Sequence, residues 1–233
     1  MGQAAGAAPH PPWPRGRPPA RASSTAMQRK IAILQSANLH FASHGFRGAS
    51  LRDIARDAKV SLTLLNHHFG SKLDLLGAVV DAHRGVIERR ILLFESARRS
   101  DPPPPTLSAL LAQWVAELCH DAREADGRMF QRLLLRLLDD AETEATALIR
   151  ARLEGFASSF VGALRALHPQ ASRRAVALAY VCTTSTALRL VTSMPRVAEL
   201  AGEEPPAEGE VPADDQARLV KLLVAGAEAA LRD

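Results

Sequence analysis

Aromatic residues make up only 4% of this 233-residue chain, and cysteine occurs twice. With so few rings and an abundance of Ala and Leu, the composition favours helices over sheets. No alternating strand pattern of useful length appears. Cys119 and Cys182 each sit within an apolar helical pattern. They are too few for a disulfide framework and point to a reducing cytoplasm. No apolar run reaches the roughly 18 residues of a membrane span, and Pro and Arg interrupt the N-terminus wherever a signal core would sit. A soluble, cytoplasmic protein without membrane association is expected. Also missing are a Gly-x-Ser-x-Gly elbow, a phosphate-cradling glycine loop and a clustered carboxylate pair. No catalytic residue, metal or cofactor is therefore expected, and the chain does not read as an enzyme.

Acidic residues are scarce in one place only. Residues 1–72 hold ten Lys/Arg against two acids, Asp53 and Asp57, whereas residues 73–233 hold nineteen against twenty-three. A basic front joined to an acidic remainder suggests that the front meets a polyanion. A solvated basic tail on an ordinary helical protein accounts for the charge equally well.

Residues 1–26 carry six prolines, many alanines, and Arg15, Arg17 and Arg21 without any acid. Such a segment cannot bury enough surface to fold, so a disordered arm is expected. Helical periodicity begins near Met27, with Ile31, Leu34, Ala37 and Phe41 on one face and Gly45 where a helix would stop. Ser50, Ser61 and Ser71 are each placed to cap a helix. The last of these helices is expected to run through Arg89–Arg90. The proline run 102–105 interrupts the chain. Further helices are read from Leu107, Met129, Leu148, Ala175 to about Met194, and Leu219, with an acidic loop over 202–212. Nine helices are expected, with 27–72 forming one domain and 73–233 a larger one.

Within the first domain, two short amphipathic helices are joined by the tight turn Ala58-Lys59-Val60. Ala55 is small where they approach, and Ile54, Ala58, Val60 and Leu65 supply apolar inner faces. Leu62, Thr63, Asn66 and His67 are left outward on the second helix. This is the pattern of a helix-turn-helix, whose second helix enters the major groove of DNA.

The run Gly45-Phe46-Arg47-Gly48-Ala49-Ser50-Leu51-Arg52-Asp53-Ile54-Ala55, then Val60-Ser61, then Leu65-Asn66-His67-His68-Phe69-Gly70-Ser71-Lys72, closely resembles the tetracycline-repressor (TetR) family. The resemblance covers residues 29–80. It implies an all-α protein in which a three-helix DNA-binding domain precedes a larger effector-binding and dimerisation domain. It implies that Ser50 and Arg52 approach the phosphate backbone. Ser61, Leu62, Thr63 and Leu64 then open the recognition helix, with Asn66 and His67 following, and Lys72 meets a phosphate. Two residues depart from the family pattern. Lys59 stands where glycine is usual, and a left-handed non-glycine residue costs roughly 1–2 kcal/mol. His67 replaces a tyrosine, which makes its contact sensitive to pH.

The implied function is a homodimeric repressor released from palindromic double-stranded operator DNA by a small-molecule effector, with a hydrophobic effector favoured by the apolar second domain. Trp114, Phe130, Phe156 and Phe160 read most simply as core, yet the resemblance implies a ligand cavity among these helices, and some of the four would line it. Thr183, Thr184 and Thr186 interrupt an apolar helix. They place a hydroxyl toward a ligand, Thr183 being the candidate, or bond carbonyls one turn earlier. Arg132 and Arg136 lie one turn apart, where they pair with an acidic ligand or, more commonly, with neighbouring acids. His40 and His44 have a metal-compatible spacing without a third ligand, so two surface or half-buried histidines are expected. His67 and His68 should point to different faces, one outward and one toward the core. Two other classes remain open: a helical interaction module whose basic front binds RNA or acidic partners, and a small-molecule-binding enzyme on a helical scaffold.

Overall fold

The structure, a computed structural model, describes residues 20–99, 106–139 and 143–232. All regular structure among these residues is helical. The first five helices are α1 (Ala20–Gly48), α2 (Leu51–Asp57), α3 (Leu62–Phe69), α4 (Lys72–Ala82) and α5 (Arg84–Arg99). They are followed by α6 (Leu107–Arg123), α7 (Ala125–Asp139), α8 (Glu144–Leu167), α9 (Arg173–Val191), α10 (Met194–Ala201) and α11 (Ala213–Leu231). Most of the proposed N-terminal arm, residues 1–19, and the proline run lie outside the described residues. Within them, α1 already begins at Ala20 rather than near Met27.

Among the described residues eleven helices replace the expected nine, for two local reasons. The long helix expected from Ser71 ends at His83, whose φ of −93° and ψ of 10° leave the helical region, and a new helix begins at Arg84. Near residue 194, Pro195 sits in the first turn of α10, the place where a missing N–H costs nothing. It therefore starts a separate helix after α9. The three expected serine caps are present, and Ser172 caps α9 in the same way: Ser50, Ser61, Ser71 and Ser172 each accept a bond from a backbone N–H three residues on. At Ser71 the cap is reciprocal, because the Asp74 carboxylate accepts the Ser71 N–H at 3.0 Å.

Apolar side chains gather in two clusters. One joins Ile33, Ala37 and Phe41 of α1 with Ile54, Leu65 and Phe69 of the two short helices, Leu75, Leu76 and Val79 of α4, and Leu133 and Leu137 of α7. The other joins Phe94, Leu111, Trp114, Leu118, Phe160, Val176, Leu188, Leu219 and Leu223 from α5, α6, α8, α9 and α11. On α1 the buried stripe runs through Ile33, while Ile31 is 46% exposed; the expected face was rotated by part of a turn. Helix α7 buries a wide apolar arc, contributing Leu133, Leu134 and Leu137 to the first cluster and Leu135 to the second, and exposes Arg132 and Arg136 one turn apart on its remaining side. No single helix is long and apolar enough to cross a membrane among the described residues; α9 and α10 reach that composition only as a pair bent by 69°.

Leu133 is fully buried where α7 meets the first cluster. Leu133→Ala is expected to lower the unfolding free energy by about 2–5 kcal/mol, read from urea midpoints, while helical content at low urea is kept.

Candidate nucleic-acid interface and cavity

The interface is assembled from the short helices upward. The α2–α3 connection closes through backbone bonds from Lys59 N to Arg56 O at 3.0 Å and from Val60 N to Ala55 O at 2.9 Å. Lys59 holds φ at 56°, the one non-glycine positive φ among the described residues. The left-handed geometry expected there is present, and lysine bears its cost. Helix α2 is clamped to α1 twice. Ser36 Oγ donates to Ile54 O at 3.1 Å, and His40 Nε2 lies 2.7 Å from Asp57 Oδ2. His40 is thus buried and paired with Asp57, not a surface residue. The bond to His40, seconded by Arg56, holds the Asp57 carboxyl below its ordinary value. Among the described residues no group of three His, Cys, Asp or Glu is placed to hold a metal.

Helix α3 buries Leu65 and Phe69 and turns the rest of its surface outward. Ser61, Thr63, Asn66 and His67 are exposed, and Leu62 and Leu64 are half-buried. His68 is exposed as well, which corrects the expectation that one of the two adjacent histidines faces the core. Phe69 takes that inward position. The Ser61 hydroxyl accepts from Leu64 N at 3.1 Å, and Ser50 is half-buried with its hydroxyl 3.5 Å from Asp53 N. Both serines therefore act first as helix caps. Arg52 is exposed beside them.

Lys72 is the first residue of α4. Its Nζ donates to Arg47 O at 3.2 Å and stands 5.0 Å from the centre of the Phe46 ring. Burial lowers its pKa. This ammonium ties the start of α4 to the end of α1, a role the sequence pattern did not show. Gly45, at φ 71° and ψ 174°, makes the kink that brings Phe46 and Arg47 there. Its left-handed φ is one that L residues rarely adopt.

A cavity lies between α5, α6, α7, α8 and α9. Its walls include Trp114, Phe130, Leu134, Leu153, Phe156 and Leu188, with Arg90, Tyr180 and Thr184 as polar members. Its volume is about 50 Å³. Three of the four candidate aromatics, Trp114, Phe130 and Phe156, line it. Phe160 does not: it is fully buried and stacks on Phe94 with ring centres 4.1 Å apart. Thr183 is likewise buried outside the lining, and its neighbour Thr184 takes the place on the wall. The Thr184 hydroxyl donates to Tyr180 O at 2.9 Å, one turn earlier.

Phe130 connects this cavity to the front. Its ring stacks on His83 with centres 3.9 Å apart and planes 11° apart. Asn38 Nδ2, on α1, lies 3.4 Å from His83 Nε2 and donates to Asp126 Oδ1 at 2.7 Å. Burial pushes the His83 imidazole below its ordinary value, against the pull of Asp126 and Asp121. Arg136 of α7 also reaches α1, donating to the carbonyls of Ala42 and Ser43. A second, open pocket of about 420 Å³ beside it is lined by Arg132, Arg136 and Arg189. The Cys119 thiol is pushed up to about 11 by burial, which removes it as a nucleophile.

A capped, exposed second helix on a tight turn, backed by a larger helical part with its own cavity, defines a helix-turn-helix protein. Comparison with known proteins narrows the class. The family described as bacterial regulatory proteins, tetR family, matches residues 33–79, and a tetracyclin repressor-like C-terminal domain matches residues 115–226. The chain belongs to the TetR family. It is 46% identical over 65 residues to the HTH-type transcriptional repressor Rv3405c of Mycobacterium tuberculosis, covering 28% of this chain and 34% of that protein. The HTH-type transcriptional regulator Mb3439c of Mycobacterium bovis matches over the same extent. The match therefore spans about a third of the length of these curated relatives. Among solved structures, the hemolysin II regulator HlyIIR superposes with a TM-score of 0.59 at 16% identity, over 84% of this chain and 97% of that one. FadR from Bacillus subtilis, in complex with stearoyl-CoA, gives 0.56 at 19% identity, over 86% and 97%. At such identities the likeness shows the fold.

Lys59→Gly is expected to stabilise the fold. Relief of the left-handed cost, roughly 1–2 kcal/mol, exceeds the added chain entropy of glycine, roughly 0.5–1 kcal/mol. A rise in urea midpoint at unchanged slope is the expected reading.

Proposed function

We propose that this chain is a transcription regulator that binds two-fold symmetric duplex DNA as a homodimer and is released by a small-molecule effector. The observation that carries the reading is the α2–α3 unit, where exposed Thr63, Asn66 and His67 face outward from a helix fixed by its cap and its buried Leu65. Leu62 and Leu64 belong to the same helix, Ser61 caps it, Ser50 and Arg52 open α2 beside it, and Lys72 stands at the start of α4. Residues 27–72 are assigned to DNA, and residues 73–233 to dimerisation and the effector. Repression is favoured because one relative matched over 65 residues is named a repressor. The reading needs no enzymatic activity, and it goes with a cytoplasmic location.

Dimerisation is assigned to α9 and α11, which pack on one another. Leu178, Val181 and Leu222 leave apolar side chains about half exposed on these helices, at 49%, 54% and 54%. Next to Leu222 one turn on, Gly226 has open space where a Cβ would stand, so a second copy can approach closely. Two recognition helices held one DNA turn apart then fit successive major grooves. The effector is assigned to the cavity lined by Trp114, Phe130 and Phe156. A ligand that displaces Phe130 disturbs its stack with His83 at the α4–α5 junction, and with it the contact to Asn38 on α1. Binding there and DNA binding oppose each other by reciprocity.

Lys72→Ala is expected to weaken binding to every duplex by a similar factor, because an ammonium at a phosphate carries no sequence information. Thr63→Ala or Asn66→Ala is expected to change the preferred base at one position of each half-site, by roughly 1–3 kcal/mol of discrimination. Selection of binding sites from a random duplex pool with each variant checks both. A changed consensus for Lys72→Ala would reverse the assignment of roles.

A further inference from the structure

We infer that the cavity between α5 and α9 takes a small apolar carboxylic acid, bound as its carboxylate against Arg90 and Trp114; this deepens the effector reading above and rests on it. Most of the wall is hydrocarbon, from Phe130, Leu134, Leu153, Phe156 and Leu188. Two of its members carry buried donors with no partner: Arg90, 6% exposed, at Nε, and Trp114, 1% exposed, at Nε1. Native proteins rarely leave buried N–H groups unpaired, and each such group calls for an explanation. Two on the walls of one cavity point to a group that arrives from outside.

The chemistry of that group follows from what the wall already uses. The Arg90 guanidinium is permanently charged, and one of its terminal nitrogens is taken by Asp121 Oδ2 at 2.7 Å. Asp121 is shared with Arg89 at 3.5 Å, and Glu117 adds to the field at Arg90, so the four charges nearly balance. What the cavity offers is therefore donors rather than excess charge. A hydroxyl or amide ligand accepts from these N–H groups and donates to the Tyr180 and Thr184 hydroxyl oxygens, but without charge assistance. A carboxylate only accepts, and its bond to a guanidinium N–H is charge-assisted. The volume of about 50 Å³, roughly a third of the ~150 Å³ that holds benzene, excludes a long acyl tail, and a ring or six-carbon chain enters with the displacement of Phe130 proposed above.

Isothermal titration of the full chain at pH 7.5 tests this with benzoate and hexanoate, their methyl esters, and toluene. Benzoate or hexanoate is expected to bind at least tenfold more tightly than its ester and than toluene. Trp114→Phe keeps an aromatic ring and removes one donor; it is expected to weaken the acid about fivefold and to leave toluene unchanged. Arg90→Gln is expected to lose the preference for acid over ester, with circular dichroism checking that the variant is folded. Ester and acid binding equally, or an unchanged acid affinity in Trp114→Phe, would overturn the inference. If toluene binds and neither acid does, the acid assignment falls and the effector cavity stands. If none of the five compounds binds, both fall.

Discussion

Helix α7 buries a wide apolar arc and leaves Arg132 and Arg136 to a narrow exposed stripe, and that constraint organises the protein. An apolar arc that wide has to be covered on more than one side. The chain meets this by laying α1 along one side of α7, and α6, α8 and α9 around the others. Leu133 and Leu137 thereby join the core that also holds Ile54 and Leu65 of the DNA-facing helices. Leu135 joins the second core, and Phe130 and Leu134 stand on the cavity wall. One helix is thus the floor of the helix-turn-helix and a wall of the cavity. Arg136, emerging from it to hold the Ala42 and Ser43 carbonyls near the end of α1, adds a polar tie in the same direction.

Rigidity at the front has identifiable sources. Serine caps satisfy N–H groups that the first turn of each short helix would leave unpaired, and His40 with Asp57 fixes α2 to α1. Lys72 closes the gap between α1 and α4 through Arg47 O and the Phe46 ring. These contacts leave the outer surface of α3 without structural duties, a condition for a helix that reads base edges. The strain at Lys59 is borne by this well-tied surround.

Much of this was legible in the chain because short-range chemistry decides it. Ser50, Ser61, Ser71 and Ser172 announce helix starts, and the spacing of Ile54, Ala55 and Leu65 announces the buried side of the α2–α3 pair. What the residues did not announce depends on distant partners. The break at His83 follows from its stack on Phe130 and its approach to Asn38 and Asp126, residues 45 positions behind or 43 and 47 ahead. Trp114, Phe130, Phe156 and Phe160 look alike in sequence, yet the first three border the cavity and Phe160 fills core against Phe94. Between Thr183 and Thr184, one step of about 100° along α9 decides which reaches the wall. The choice of Ile33 over Ile31 on α1 is of the same kind, set by where α7 lies.

The central claim is that one surface of paired α3 helices reads a specific duplex. Fluorescence anisotropy of the full chain on its best selected two-fold site and on a shuffled duplex of equal length, across a range of salt concentrations, tests it most directly. The account predicts affinity at least a thousandfold higher for the selected site at physiological salt, an order set by known specific binders. It also predicts a steep fall with salt on both duplexes, as displaced counterions require. Equal affinity for the two duplexes at every salt concentration would contradict it.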